Sequence, residues 1–233
     1  MMSTSFQDKL ADPTKSIITD FSVPSRAVLV AFGGLRGELD IPPFEFFRLT
    51  VQVPVKKIFV RDLGQAWYHR GVPGIARDVD ELAVYLKSAV QQADVQRVVT
   101  VGTSAGGYAA LLLGSLMEVD DVHAFSAQTF LGRWNRLRHR DGRWKRQVRA
   151  VHGSRTVIRR YLDLKRVFAS RRVGTCFHLH FCDNHRLDRI HAQRLGGLPG
   201  VKLLPYPEGG HRLVKFLRDQ DRLQQLLLRA VGE

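Results

Sequence analysis

The chain has few residues that would build a covalent or metallic scaffold or a membrane anchor. Of 233 residues only two are cysteine, Cys176 and Cys182, both within TCFHLHFC. If that run is a strand, they stand about 20 Å apart at roughly 3.3 Å per residue. A disulfide spans at most about 7 Å between Cα atoms. Two reduced, structural thiols are therefore expected, in keeping with a cytoplasmic home. No apolar run reaches the roughly 18 to 20 residues of a membrane span. The opening MMSTSFQDKLADPTKS is polar and lacks the apolar core of a secretory signal, so the cytoplasm is the expected compartment. Internal repeats and low-complexity tracts are absent as well, and no cofactor or metal is expected.

What is present describes one medium-sized soluble domain over residues 1–233, with 44% hydrophobic and 25% charged residues. The charge is unevenly placed. Residues 131–175 carry fifteen Lys and Arg against two acids, Asp141 and Asp163, so this segment holds +13 of the net +14. A near-neutral domain thus carries one strongly basic insert.

Elsewhere, short β-rich runs alternate with helical stretches, the pattern of a mostly parallel α/β sheet. RAVLVAF, KKIFV, RVVTVG, DVHAFS, FHLHFC and VKLLPY read as strands, and SIITDFSV as an additional edge strand. Ile75, Val79, Leu82, Leu86 and Val90 share one side of a predicted helix. HRLVKFLRDQDRLQQLLLRAV reads as one closing amphipathic helix. Within the insert, Val157, Tyr161, Leu164 and Phe168 have helical spacing and predict a packed helix.

One stretch carries chemistry. Between RVVTV and YAALLLGSL lies Gly102-Thr103-Ser104-Ala105-Gly106, a G-x-S-x-G pattern at a strand-to-helix turn. A serine in so sharp a turn needs small residues two positions either way, because side chains there would collide. Gly102 and Gly106 meet that need and Gly107 adds room. The turn also leaves Ser104 at a helix N-terminus, where developing negative charge is favoured. The pattern lacks the lysine of a P-loop and the spacing of a dinucleotide fingerprint.

With this elbow in this element order, the chain resembles the α/β-hydrolase superfamily over about residues 26–230. The basic insert falls where that family commonly carries a lid. The resemblance implies a three-layer α/β/α fold and a triad in the order serine, acid, histidine. Ser104 would be the nucleophile and His211, in YPEGGHRLV after the last predicted strand, the base. The acid would follow FHLHFC, as Asp188 ahead of Asp183. His178 and His180 share a strand face and read as structural, and His191 is given no catalytic role. The oxyanion hole would take the N–H of Ala105 and one from AFGGLRG, where Phe32 replaces the histidine of the family's HGG motif. Gly34 is assigned that donor, with Leu35 as the near alternative.

The implied reaction is cleavage of a carboxylic ester or thioester through an acyl-enzyme. Acyl transfer or cyclisation by the same intermediate is the enzymatic rival. A noncatalytic module binding an acidic partner or nucleic acid is the rival from another class. RDLGQAWYHRGVPG follows a strand whose carboxyl end faces the site, so Asp62, Gln65, Trp67, Tyr68 and His69 are expected to form a substrate wall. Trp67, Tyr68, Leu35 and Trp134 are the substrate-contacting residues expected. The insert predicts an anionic small-molecule or carrier-bound acyl substrate, with an acyl carrier protein as a candidate partner and nucleic acid not expected.

Overall fold

The computed structural model describes residues 12–35, 44, 46–170 and 174–232. The polar N-terminal stretch to Ala11, Arg36 and Gly37 of the glycine loop, and Arg171 and Arg172 of the insert lie outside the described residues.

The strands are β1 (Ile17–Asp20), β2 (Ala27–Phe32), β3 (Lys56–Val60), β4 (Arg97–Thr103), β5 (Asp121–Phe125), β6 (Cys176–Cys182) and β7 (Val201–Tyr206). They form one sheet in the order β1-β3-β2-β4-β5-β6-β7. Only the β1 edge runs antiparallel; the other pairs are parallel. All of β2, AVLVAF, is buried, as befits a strand covered on both faces. Phe32 pairs with Val60 on one side and Gly102 on the other, so the carboxyl ends of β2, β3 and β4 are level. From β2 the chain first steps outward to β3 and then returns to β4. That reversal opens a crevice beyond the strand ends.

Two helices cover one face: α1 (Val79–Gln92) and α2 (Ala105–Met117). Leu82, Leu86, Tyr108, Leu111 and Leu112 pack there with Val28, Val30 and Ile58. The Asp78 carboxylate accepts from Glu81 N at 2.9 Å, which starts α1 at Val79. Ile75 therefore lies outside the helix it was expected to open, and is 38% exposed.

The insert folds into α3 (Arg133–Arg138), α4 (Lys145–Gly153), a 3-10 turn (Arg159–Leu162) and α5 (Leu164–Ala169), and α6 (Arg186–Gln193) follows β6. Tyr161, Leu164 and Phe168 are buried as the spacing predicts, but on a 3-10 turn and a short helix. The insert's two acids anchor it. Asp141 accepts from Arg143 through both oxygens, at 3.0 and 2.9 Å, and from His191 Nε2 on α6 at 3.0 Å. Asp163 accepts from Asn135 at 3.0 Å and from Arg194 just past α6. Its other oxygen caps α5 through Lys165 N at 3.1 Å.

On the opposite face α7 (Leu213–Asp219) and α8 (Arg222–Val231) place Leu213, Leu217, Leu223 and Leu227 against Leu29, Ala31, Val99 and Val101. The single closing helix expected from the sequence is thus two. Asp221 has φ 56°, and a left-handed residue cannot continue a right-handed helix. No described helix is long and apolar enough to cross a membrane.

Candidate active site

Ser104 stands at the turn from β4 into α2 with φ 54° and ψ −115°. That conformation is held by close backbone packing, which the glycines make possible. A Cβ on Gly102 would lie 2.1 Å from Gly106 O, and one on Gly106 would lie 2.2 Å from Phe32 O. At Gly107 it would meet Ala127 Cβ at 2.8 Å. The approach of Gly106 to Phe32 also sets the Gly33-Gly34 loop against the first turn of α2. Ser104 N donates to Phe125 O at 2.8 Å, tying the elbow to the end of β5.

His211 lies on the 3-10 turn Gly210–Arg212, after Gly209 (φ 107°) and Gly210 (φ 52°). Its Nε2 is 3.2 Å from Ser104 Oγ, and its Nδ1 is 2.8 and 3.0 Å from the oxygens of Asp188. With Nδ1 facing a carboxylate, the proton sits on Nδ1 and Nε2 is the acceptor for the serine hydroxyl. Asp188, in the first turn of α6, is fully buried, whereas the His211 side chain is one-third exposed. Burial works against ionisation of Asp188. The hydrogen bond from His211, with Arg143 and His185 nearby, outweighs it and holds the carboxyl below its usual range. Of the two acids weighed, it is Asp188 that meets His211. Asp183 is exposed at the strand end, and its backbone carbonyl accepts from Arg189. The helix begins slightly before Asp188, with the His185 ring accepting from Asp188 N.

Two contacts to this group had no counterpart in the sequence reading. Gln128, buried three residues past β5, donates from Nε2 to Ser104 Oγ at 3.0 Å. Its Oε1 accepts from Trp67 Nε1 at 3.1 Å. An indole N–H only donates, so the orientation of the Gln128 amide is fixed. Ser104 Oγ therefore accepts from Gln128 while its own proton points to His211. Arg143 of the insert donates to Asp188 at 3.1 Å while clasping Asp141. Asp141 is held well below the usual carboxylate range; burial opposes this, and His191 and Arg143 overcome it. Thr129 N donates to His191 Nδ1 at 2.9 Å, so His191 Nε2 carries the proton given to Asp141. Burial pushes His191 down to about 4. Gln128 could have been sought at the carboxyl end of a strand. Nothing marks Arg143 among fifteen basic residues.

The loop expected to form a substrate wall lies largely inside the protein, with Gln65 half-buried. Trp67 is fully buried, Tyr68 is 1% exposed, and Asp62 and His69 are buried too. The Asp62 carboxylate accepts from Ala66 N at 2.6 Å and Tyr68 N at 2.9 Å, which curls the loop inward. Tyr68 OH lies 2.9 Å from Gly33 O, and His69 Nε2 lies 3.0 Å from Tyr108 OH. These aromatics support the elbow and the glycine loop from below. Gly34 is buried and Leu35 half-buried beside that loop. Trp134 is 83% exposed and borders a separate cleft that none of Ser104, Asp188 and His211 lines.

Two groups among the described residues have metal-binding donor types: His185, Asp188 and His211, and Asp121, His123 and His178. In the first, Asp188 and His211 bind each other. In the second, the rings of His123 and His178 stack at 4.5 Å and 3°, so their in-plane lone pairs do not converge. The strand face shared by His178 and His180 is taken up by internal packing, with His178 Nε2 2.9 Å from Asp121 and His180 packed on Phe125.

No family model matches the sequence, and no curated protein matches it. Solved structures do. A capsule O-acetyltransferase of Neisseria meningitidis serogroup A superposes with TM-score 0.69 at 13% identity, over 91% of this chain and 90% of that one. Brefeldin A esterase, a bacterial homologue of human hormone-sensitive lipase, gives 0.54 at 14%, over 89% and 68%. The α/β hydrolase MGS-MChE2, from a lagoon-sediment metagenome of Mar Chica, Morocco, gives 0.51 at 15%, over 88% and 95%. The chain has the α/β-hydrolase fold.

Proposed function

We propose that the protein is a serine hydrolase cleaving a carboxylic ester or thioester through an acyl-enzyme on Ser104, with an anionic acyl-bearing substrate. The observation that carries this is the unbroken hydrogen-bond chain from Ser104 Oγ through His211 to Asp188. His211 Nε2 takes the hydroxyl proton as Oγ attacks the acyl carbonyl, and Asp188 stabilises the imidazolium. The N–H groups of Ala105 and Gly34, with Leu35 as the alternative, receive the oxyanion. Ala105 opens α2, whose first N–H groups have no intrahelical acceptor. His211 returns the proton to the leaving oxygen or sulfur, then activates the water that releases the acid. Removing one oxyanion donor costs about 100- to 1,000-fold in such sites.

The charge of residues 131–175 supports an anionic substrate, and Arg143 brings that segment, as a lid, to the triad acid. A carrier-bound acyl group, including one on an acyl carrier protein, fits the same field. Transfer of the acyl group to an alcohol or amine is the second reading, supported by the likeness to an O-acetyltransferase over nine-tenths of both chains. Labelling with a fluorophosphonate tests the reading. The native protein is expected to label, and Ser104→Ala and His211→Ala are not. Folded native protein that fails to label overturns it and favours a noncatalytic binder. Product analysis with and without alcohol acceptors separates hydrolysis from transfer.

A further inference from the structure

The insert holds a second cleft of about 470 Å3, formed by α3, the 3-10 turn and α5. Arg133, Arg159 and Arg166 line it, together with Trp134, His152 and Asp163. None of the three arginines has a carboxylate partner among the described residues. The acid on the cleft wall does not neutralise them, because Asp163 is already engaged by Arg194, Asn135 and the α5 N-terminus. Three exposed arginines on the wall of one concavity make it positive, and an anion bound there relieves their mutual repulsion. Guanidinium forks match phosphate oxygens two at a time. At the rim stands Trp134, the most exposed large apolar side chain among the described residues, on a helix that buries nothing. A flat aromatic face beside a cluster of arginines suits a base stacked over its own phosphates. The volume lies within the range of small-molecule sites.

We infer that this cleft binds a nucleoside diphosphate group, its phosphates held by Arg133, Arg159 and Arg166 and its base stacked on Trp134. This deepens the anionic-substrate reading, on which its placement rests: the nucleotide is the handle of an acyl donor. Gly132 on the cleft wall is four residues from Gln128, which touches Ser104. Four residues of chain span at most about 14 Å. The segment between them, Gln128 to Leu131, is buried, so the arm joining base and acyl group runs over it to the nucleophile rather than through it.

The test uses ADP with full-length Ser104→Ala protein in low salt, read by calorimetry and tryptophan quenching. ADP is expected to bind, with quenching that Trp134→Leu abolishes. Arg133→Glu and Arg159→Glu each weaken binding at least about 10-fold. Arg138→Glu, an exposed charge outside the cleft, leaves it within about 2-fold. No binding at about 1 mM ADP overturns the inference, as does equal weakening by Arg138→Glu, which would indicate a diffuse field. Pyrophosphate binding as tightly as ADP overturns the role given to Trp134. Failure here with Ser104 still labelled in the native protein leaves the acyl-enzyme reading standing. Binding without that labelling overturns the catalytic reading alone.

Discussion

The elbow at Ser104 and the insert after β5 both deliver a group to one centre, and they hold it by opposite means. The elbow uses backbone contact. Gly102 and Gly106 let the end of β4, the start of α2 and the end of β2 approach within distances that no side chain survives. The insert adds charge to the apolar contacts of Val148, Val151, Tyr161, Leu164 and Phe168. Its helices are short, α3 buries nothing, and two carboxylates fix a segment carrying fifteen cations to α6. Asp141 and Arg143 then pass that anchoring to Asp188. Steric fixing is local and insensitive to salt or pH, whereas ionic fixing is long-range and sensitive to both.

The predictions separate these two modes, beginning where the largest effect is expected. Gly106→Ala sets a Cβ against Phe32 O and pushes the elbow away from the glycine loop. It is expected to destabilise by on the order of 3 kcal/mol and lower kcat/KM by roughly 1,000-fold, at every ionic strength. Asp141→Asn leaves the half-buried Arg143 without its main partner beside Asp188. It should lower the urea midpoint by an equivalent of about 3 kcal/mol, and added salt should narrow the gap to native protein. A midpoint within error of native would show that the insert is held by its apolar contacts instead.

Gln128→Ala removes the donor to Ser104 Oγ and leaves the Trp67 indole unpaired. A fall in kcat of about 10- to 100-fold with little change in KM is expected. A pure KM effect would assign Gln128 to the substrate pocket. Acid sensitivity comes next. Burial pushes His69 and His123 down to about 3 and His191 to about 4, each from an ordinary 6.5. Below pH 6.5 the unfolded chain takes up these protons and the folded one does not. Stability is therefore full above 6.5 and falls as pH drops toward 4, with up to about 1.4 kcal/mol per pH unit from each histidine. Urea midpoints through this window check the slope, and His191→Gln should flatten it by about one proton. The smallest effect belongs to Arg155→Gln. Arg155 is exposed and makes no side-chain hydrogen bond or ion pair among the described residues, and the change should stay within about 0.5 kcal/mol.

The same contrast explains what could be read in the chain beforehand. Backbone fixing is written locally, so the elbow and the parallel strands were legible, whereas the order Ser104, Asp188, His211 came from the family resemblance. Ionic fixing is not written locally. Asp141 and Asp163 stood out as the only acids of the insert, but which of fifteen cations each would meet depends on approach in space. The burial of Trp67 and Tyr68 was not legible, because an aromatic loop reads alike whether it faces outward or supports the elbow from within. The break at Asp221 was missed because the leucine spacing runs through it, and one left-handed residue leaves no mark on that pattern.

The central claim is that Ser104 carries the acyl group. The most direct measurement is intact mass and peptide mapping after a rapid acid quench of native protein with p-nitrophenyl acetate. One acetyl group on Ser104, formed with a burst of p-nitrophenol and absent in Ser104→Ala, is the predicted result. Turnover with Ser104 unmodified, or the acetyl group on another residue, would contradict the account.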